Sequence, residues 1–111
     1  MGKLAERYED VARSGVYRVT DAEVPRRAAA EAHARLFEFD AGAIQGLDDL
    51  RRVIAQADGR PCVVFIDSRH VALRDGLAGL AAECRANALP FFALFVDPAG
   101  ALDLPDLYKE R

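Results

Sequence analysis

Three hydrophobic runs in this chain each end in aspartate, and that pattern constrains the fold more than any other. Leu36-Phe37-Glu38-Phe39 stops at Asp40, Val63-Val64-Phe65-Ile66 at Asp67, and Phe91-Phe92-Ala93-Leu94-Phe95-Val96 at Asp97. Helix-like stretches separate the runs. Parallel strands need such crossovers, so the pattern predicts a small α/β fold with a mostly parallel sheet of three to four strands. Ligands of open α/β sheets sit at the carboxyl ends of the strands, which makes the three aspartates candidates for one shared rim.

The chain is expected to be a single domain over 1–111, with an N-terminal helix in 1–13 and a C-terminal tail in 98–111. Its 111 residues match the commonest domain size. A content of 51% hydrophobic and 30% charged residues is that of a globular chain, not a disordered one. The formal charge of −3 gives no support to a general nucleic-acid surface, which needs a basic stripe. A small acidic domain suits a basic partner better, though so mild a charge does not carry that inference alone. Met1 to Arg13 shows no apolar core of a signal peptide, and no run approaches the roughly 20 residues that span a membrane. Cys62 and Cys84 form neither a Cys-x-x-Cys motif nor a zinc set. The expectation is a cytoplasmic protein with two buried thiols, no membrane contact and no cofactor.

Local signals place the elements. Leu4, Tyr8 and Val11 form one stripe of a short helix over 3–13, which Ser14-Gly15 ends. Strands are expected near 16–19, 35–39, 61–66 and 90–96. The first of them reads as an edge. Thr20 and Glu23 have capping-box spacing, and Pro25 fits only a first helical turn. Leu47, Leu50, Val53, Ile54 and Ala57 share a helix face, with Asp48 and Asp49 in its first turn where the macrodipole favours them. Leu77, Leu80, Ala81 and Cys84 share another. The tail residues Leu102, Leu104, Leu107 and Tyr108 are apolar enough to dock on the body.

Catalytic motifs are missing. Gly76-Leu77-Ala78-Gly79 lacks the third glycine of a dinucleotide loop, and the only serines, Ser14 and Ser68, lie in no nucleophile elbow. Ser68, His70 and Asp67 are near in sequence, yet a triad is a matter of spatial geometry, and a turn after a strand explains them. His33 reads as a surface residue of the alanine-rich helix. If Asp40, Asp67 and Asp97 converge, they form an oxygen set for magnesium; if not, they are turn and cap residues. The phosphoacceptor receiver fold uses such a rim, but its paired acidic residues and its lysine have no counterparts at Thr20-Asp21-Ala22-Glu23 or Asp97-Pro98-Ala99.

The chain resembles the barstar-like family, small α/β proteins typified by a cytoplasmic inhibitor of a secreted ribonuclease. The residues that carry the resemblance are Ser14-Gly15-Val16-Tyr17-Arg18, Leu36-Phe37-Glu38-Phe39-Asp40, Gly46-Leu47-Asp48-Asp49-Leu50, Pro61-Cys62-Val63-Val64 and Leu89-Pro90-Phe91-Phe92. It spans roughly Ser14 to Asp97. The family's inhibitory segment, a loop and helix that plug the ribonuclease with aspartate and aromatic groups, is replaced here by Ala57-Asp58-Gly59-Arg60-Pro61. The chain has no tryptophan, and the residues around Gly76 and Ala78 are small and neutral. Losing a helix bares apolar sheet, which Leu4, Tyr8, Val11, Leu104, Leu107 and Tyr108, or a second copy, would cover.

The resemblance implies a non-enzymatic protein-binding domain, a shortened barstar-like protein whose target is a basic nuclease or toxin. Asp40, Asp67, His70 and Asp97 are its expected partner-binding residues, with no catalytic residue and no metal ligand. A small-ligand or divalent-metal domain built on the strand-end aspartates is the alternative, and a structural homo-oligomer subunit a third. A homodimer is expected slightly more often than a monomer.

Overall fold

The structure, a computed structural model, describes residues 6–42 and 44–108. Its strands are β1 (Gly15–Val19), β2 (Arg35–Glu38), β3 (Cys62–Asp67) and β4 (Phe91–Val96), and its α-helices are α1 (Glu23–Glu31), α2 (Leu47–Ala55) and α3 (Arg74–Ala86). The strands form one sheet in the order β1-β4-β3-β2, and every neighbouring pair is parallel. Each helix is therefore a crossover, as the separated hydrophobic runs require.

The inner strands β3 and β4 bury their first five side chains in succession. Such unbroken burial means cover on both faces, which a parallel sheet obtains from its helices. On one face Cys62, Val64, Ile66, Phe91, Ala93 and Phe95 pack against Leu50 and Ile54 of α2 and Leu77, Leu80, Ala81 and Cys84 of α3. Gly76 lets these two helices approach closely, since a Cβ there would come within 2.6 Å of Leu47 Cδ1.

On the other face Val63, Phe65, Phe92 and Leu94 meet Ala28 and Ala29 of α1. Alanines reach only part of that face. The terminal segments close the remainder. Tyr8 and Leu107 are fully buried there. The Tyr8 ring stands edge-on to Phe92 with centroids 5.2 Å apart, and its hydroxyl lies 2.8 Å from that of Tyr108. Leu102 and Leu104 instead pack on the α2 and α3 side. The tail also lines the outer edge of β1: Arg18 N–H donates to the Pro105 carbonyl at 2.8 Å, and Leu107 N–H to the Arg18 carbonyl at 3.2 Å.

Local chemistry moves several boundaries. The first helix does not reach Arg13. Glu6 and Arg7 are helical, but Asp10 accepts the Ala12 N–H at 3.1 Å and starts a separate 3-10 turn, Val11–Arg13. Leu4 lies outside the described residues. At α1 the cap is Asp21, not Thr20: its Oδ1 accepts the N–H groups of Glu23 at 2.9 Å and Val24 at 3.4 Å. A carboxylate is the stronger acceptor beside a positive helix end. His33 is not in the helix, which ends two residues earlier, and its φ of 58° is left-handed.

Candidate functional site

A parallel sheet gathers the carboxyl ends of its strands and the amino ends of its crossover helices at one end of the molecule. In this chain that end gathers carboxylates, with Arg69, His70 and Arg74 among them. Carboxylates end or follow every strand, at Asp21, Asp40, Asp67 and Asp97, and stand in the first turn of every crossover helix, at Glu23, at Asp48 and Asp49, and at Asp75. The opposite end carries Arg13 before β1, Arg35 at the start of β2, Arg60 before β3 and Arg85 in the last turn of α3, together with Glu31 in the last turn of α1 and Asp58 before β3. The acidic first turns of the three crossover helices, and Arg85 at the end of α3, complement the helix dipoles.

The strand-end aspartates are consecutive along the rim, yet they do different work. Asp67 is exposed and accepts the Arg69 N–H at 2.9 Å, capping the 3-10 turn Ser68–Leu73. That turn delivers Arg69 and His70 to Asp40. Asp40 Oδ2 lies 3.8 Å from His70 Nε2 and 3.9 Å from an Arg69 guanidinium nitrogen. The His70 ring also packs on Phe39, with centroids 5.3 Å apart, and its Nε2 accepts from Arg69 Nε at 3.3 Å. Asp40 has a φ of 65°, a conformation that aspartate tolerates better than most residues.

Asp97 belongs elsewhere. It is buried, its Oδ2 accepts the Leu102 N–H at 2.8 Å, and its own N–H donates to the Val19 carbonyl at 2.8 Å. The residue anchors the tail and is withdrawn from the surface where a partner would meet it. Asp67 and His70 are not paired either, because one caps the turn while the other faces Asp40, so Ser68, His70 and Asp67 do not form a triad. Among the described residues, no three or more histidine, cysteine, aspartate or glutamate side chains are grouped to hold a metal ion.

Sequence reading therefore finds Asp40, Asp67 and His70 but misses Phe39 and Arg69, the residues that join them. Arg69 sits beside His70 in the chain, and that adjacency is the signal available. At α2, Asp49 Oδ2 accepts the Gln45 N–H at 2.8 Å and Oδ1 takes Arg52 at 2.9 Å. These two donors hold its carboxyl below the usual range, the backbone N–H contributing most.

The two thiols and Ser14 are buried. Burial pushes the Cys62 thiol up to about 11 and raises that of Cys84, so both stay protonated at neutral pH. The Ser14 hydroxyl accepts the Phe91 N–H at 3.0 Å and ties β1 to the start of β4. A cleft of about 480 Å³ opens between the start of β1, α3 and the tail, with Arg74, Asp75, Arg85 and Asp103 on its walls. Among the described residues no helix is long and apolar enough to cross a membrane.

In comparisons with family models, characterised proteins and solved structures, nothing matches this chain. The likeness to barstar-like proteins rests on the residues that carry it.

Proposed function

We propose that this chain is a non-enzymatic binding domain whose carboxyl-end rim recognises a basic protein, with a secreted nuclease or a toxin as the target class. One observation carries the reading: a carboxylate ends or follows every strand and lies in the first turn of every crossover helix at the same end of the sheet, and Asp40, Asp48, Asp67 and Asp75 among them are exposed. Charges so arranged steer a basic partner to one face, and they act more on the association rate than on final affinity. Phe39 and His70 supply ring surface beside Asp40. Without the barstar-like inhibitory segment the complex lacks a deep aromatic plug, so its binding depends strongly on salt.

The test is calorimetric titration with basic secreted ribonucleases and toxins at low and physiological salt, alongside an RNA-cleavage assay. Binding should weaken as salt rises. The double substitution Asp40→Asn with Asp48→Asn should weaken it about tenfold, because two exposed ion pairs contribute roughly 0.2–1 kcal/mol each. Glu31→Gln, at the opposite end, should leave it unchanged. Failure of every basic target to bind at low salt, or binding indifferent to the double substitution, contradicts the reading.

A further inference from the structure

We infer that the outer edge of β2 pairs with β2 of a second copy of this chain, joining two sheets into one. The sheet has two edges, and the tail occupies that of β1 at Arg18. On β2 the hydrogen bonds alternate. Arg35 and Phe39 donate inward to the carbonyls of Pro61 and Phe65, both next to or within β3. Leu36 and Glu38 therefore turn their N–H and C=O groups outward.

The chain itself closes this window at both ends. Ala34 N–H is taken by the Ala29 carbonyl of α1 at 2.9 Å, and Asp40 N–H by the Ile44 carbonyl at 2.7 Å. Between them, among the described residues, the outward backbone groups of Leu36 and Glu38 meet no partner. Leu36 and Val24 are also the large apolar side chains left exposed among the described residues, Leu36 at 37%.

A window of this length selects its own complement. In an antiparallel pair with its two-fold axis at Phe37, Leu36 stands opposite Glu38 of the second copy, and Glu38 opposite Leu36, so four backbone hydrogen bonds form. Centring the axis on Leu36 calls for the Ala34 N–H, and centring it on Glu38 calls for that of Asp40; both are already used. A shift by one residue sets inward groups against outward ones and forms no ladder.

The side chains permit this register. The two Phe37 rings would meet at the non-hydrogen-bonded position, where Cα atoms come to about 4.5 Å. Arg35 already lies over Phe37, 5.2 Å from the ring centroid. Glu38 is ion-paired with Arg26, so it brings no uncompensated charge against Leu36. No lysine, proline or bulge interrupts the window, and its two charged residues are engaged within the chain, Arg35 over Phe37 and Glu38 with Arg26. Pairing at the side of the sheet leaves both carboxyl-end rims open, so this inference stands or falls apart from the binding function.

Sedimentation equilibrium over a concentration series tests it, with two kinds of variant. Leu36→Pro deletes an outward N–H and spares the bonds to β3. It should weaken the dimer about 30-fold through the two intermolecular bonds lost, each contributing around a factor of five, while the monomer stays folded by circular dichroism. Phe37→Cys should give a disulfide-linked dimer under mild oxidation, since the Cα spacing at the axis falls within disulfide range, whereas Leu36→Cys should not. Cys62 and Cys84 are buried and give no background. A wild-type chain that stays monomeric throughout the series, a dimer unaffected by Leu36→Pro, or cross-linking absent at Phe37→Cys overturns the proposal. Should Leu36→Pro unfold, the cysteine pair decides alone.

Discussion

Ala88 and His33 share an unusual conformation for the same reason. Each follows a helix end in the left-handed region, at φ 59° and 58°. The next residue then bonds back five positions, Leu89 N–H to the Cys84 carbonyl at 2.8 Å and Ala34 N–H to that of Ala29 at 2.9 Å. This is the helix stop that glycine normally occupies. Ala88→Gly should therefore stabilise the protein by about 0.5–1 kcal/mol, measured by urea denaturation. His33→Gly should do so by a similar amount, and its carbonyl would still accept from Arg60 Nε. Cys62 gives a pH signature. Its thiol is raised by burial to about 11 from an ordinary 9.0. The unfolded thiol ionises first, so this contribution is complete below pH 9 and is lost as pH rises from 9 to about 11, on the order of 2–3 kcal/mol. Denaturant titrations across that window should show the loss, and Cys62→Ala should flatten it.

At the scale of elements, legibility follows how many residues speak for each. The apolar run of β3 needs only its own composition to be seen, because cover on both faces leaves no room for polar residues. Leu77, Leu80, Ala81 and Cys84, the stripe read from helical spacing, are the buried residues of α3. Boundaries depend instead on which of two neighbouring polar groups wins a backbone N–H. Capping-box spacing to Glu23 points to Thr20, yet Asp21 next to it takes the N–H groups of Glu23 and Val24. Asp21→Ala should cost about 1 kcal/mol and Thr20→Ala close to nothing, a contrast readable from melting curves of the two variants. The site was legible in the same partial way. Asp40, Asp67 and His70 stand out as strand-end residues. The grouping of Phe39 and Arg69 with them depends on β2 lying beside β3, and strand order is not written in any local pattern. Burial of Asp97 depends on the tail folding back to Leu102, a tertiary event as well.

The whole molecule is closed by its own chain ends. Tyr8 and Leu107 come from opposite termini and meet on the sheet face that the alanines of α1 leave bare. Each buries a large side chain, so Leu107→Asp sets a charge against apolar surface, and Tyr8→Asp removes the ring that packs edge-on against Phe92, a loss that the nearby Arg7 offsets only in charge. Either should destabilise the fold by about 3 kcal/mol or more, visible as a fall in melting temperature, while the surface change Asp58→Asn should not. The same topology that buries these residues gathers a carboxylate at the end of every strand and in the first turn of every crossover helix. The most direct test of that rim as a binding device is backbone amide mapping by NMR during titration with a basic protein target that binds in calorimetry. Shifts concentrated on Asp40, Asp48, Arg69 and Asp75, with Arg35, Arg60 and Arg85 unmoved, are the predicted result. A footprint centred on the opposite end of the sheet would contradict it.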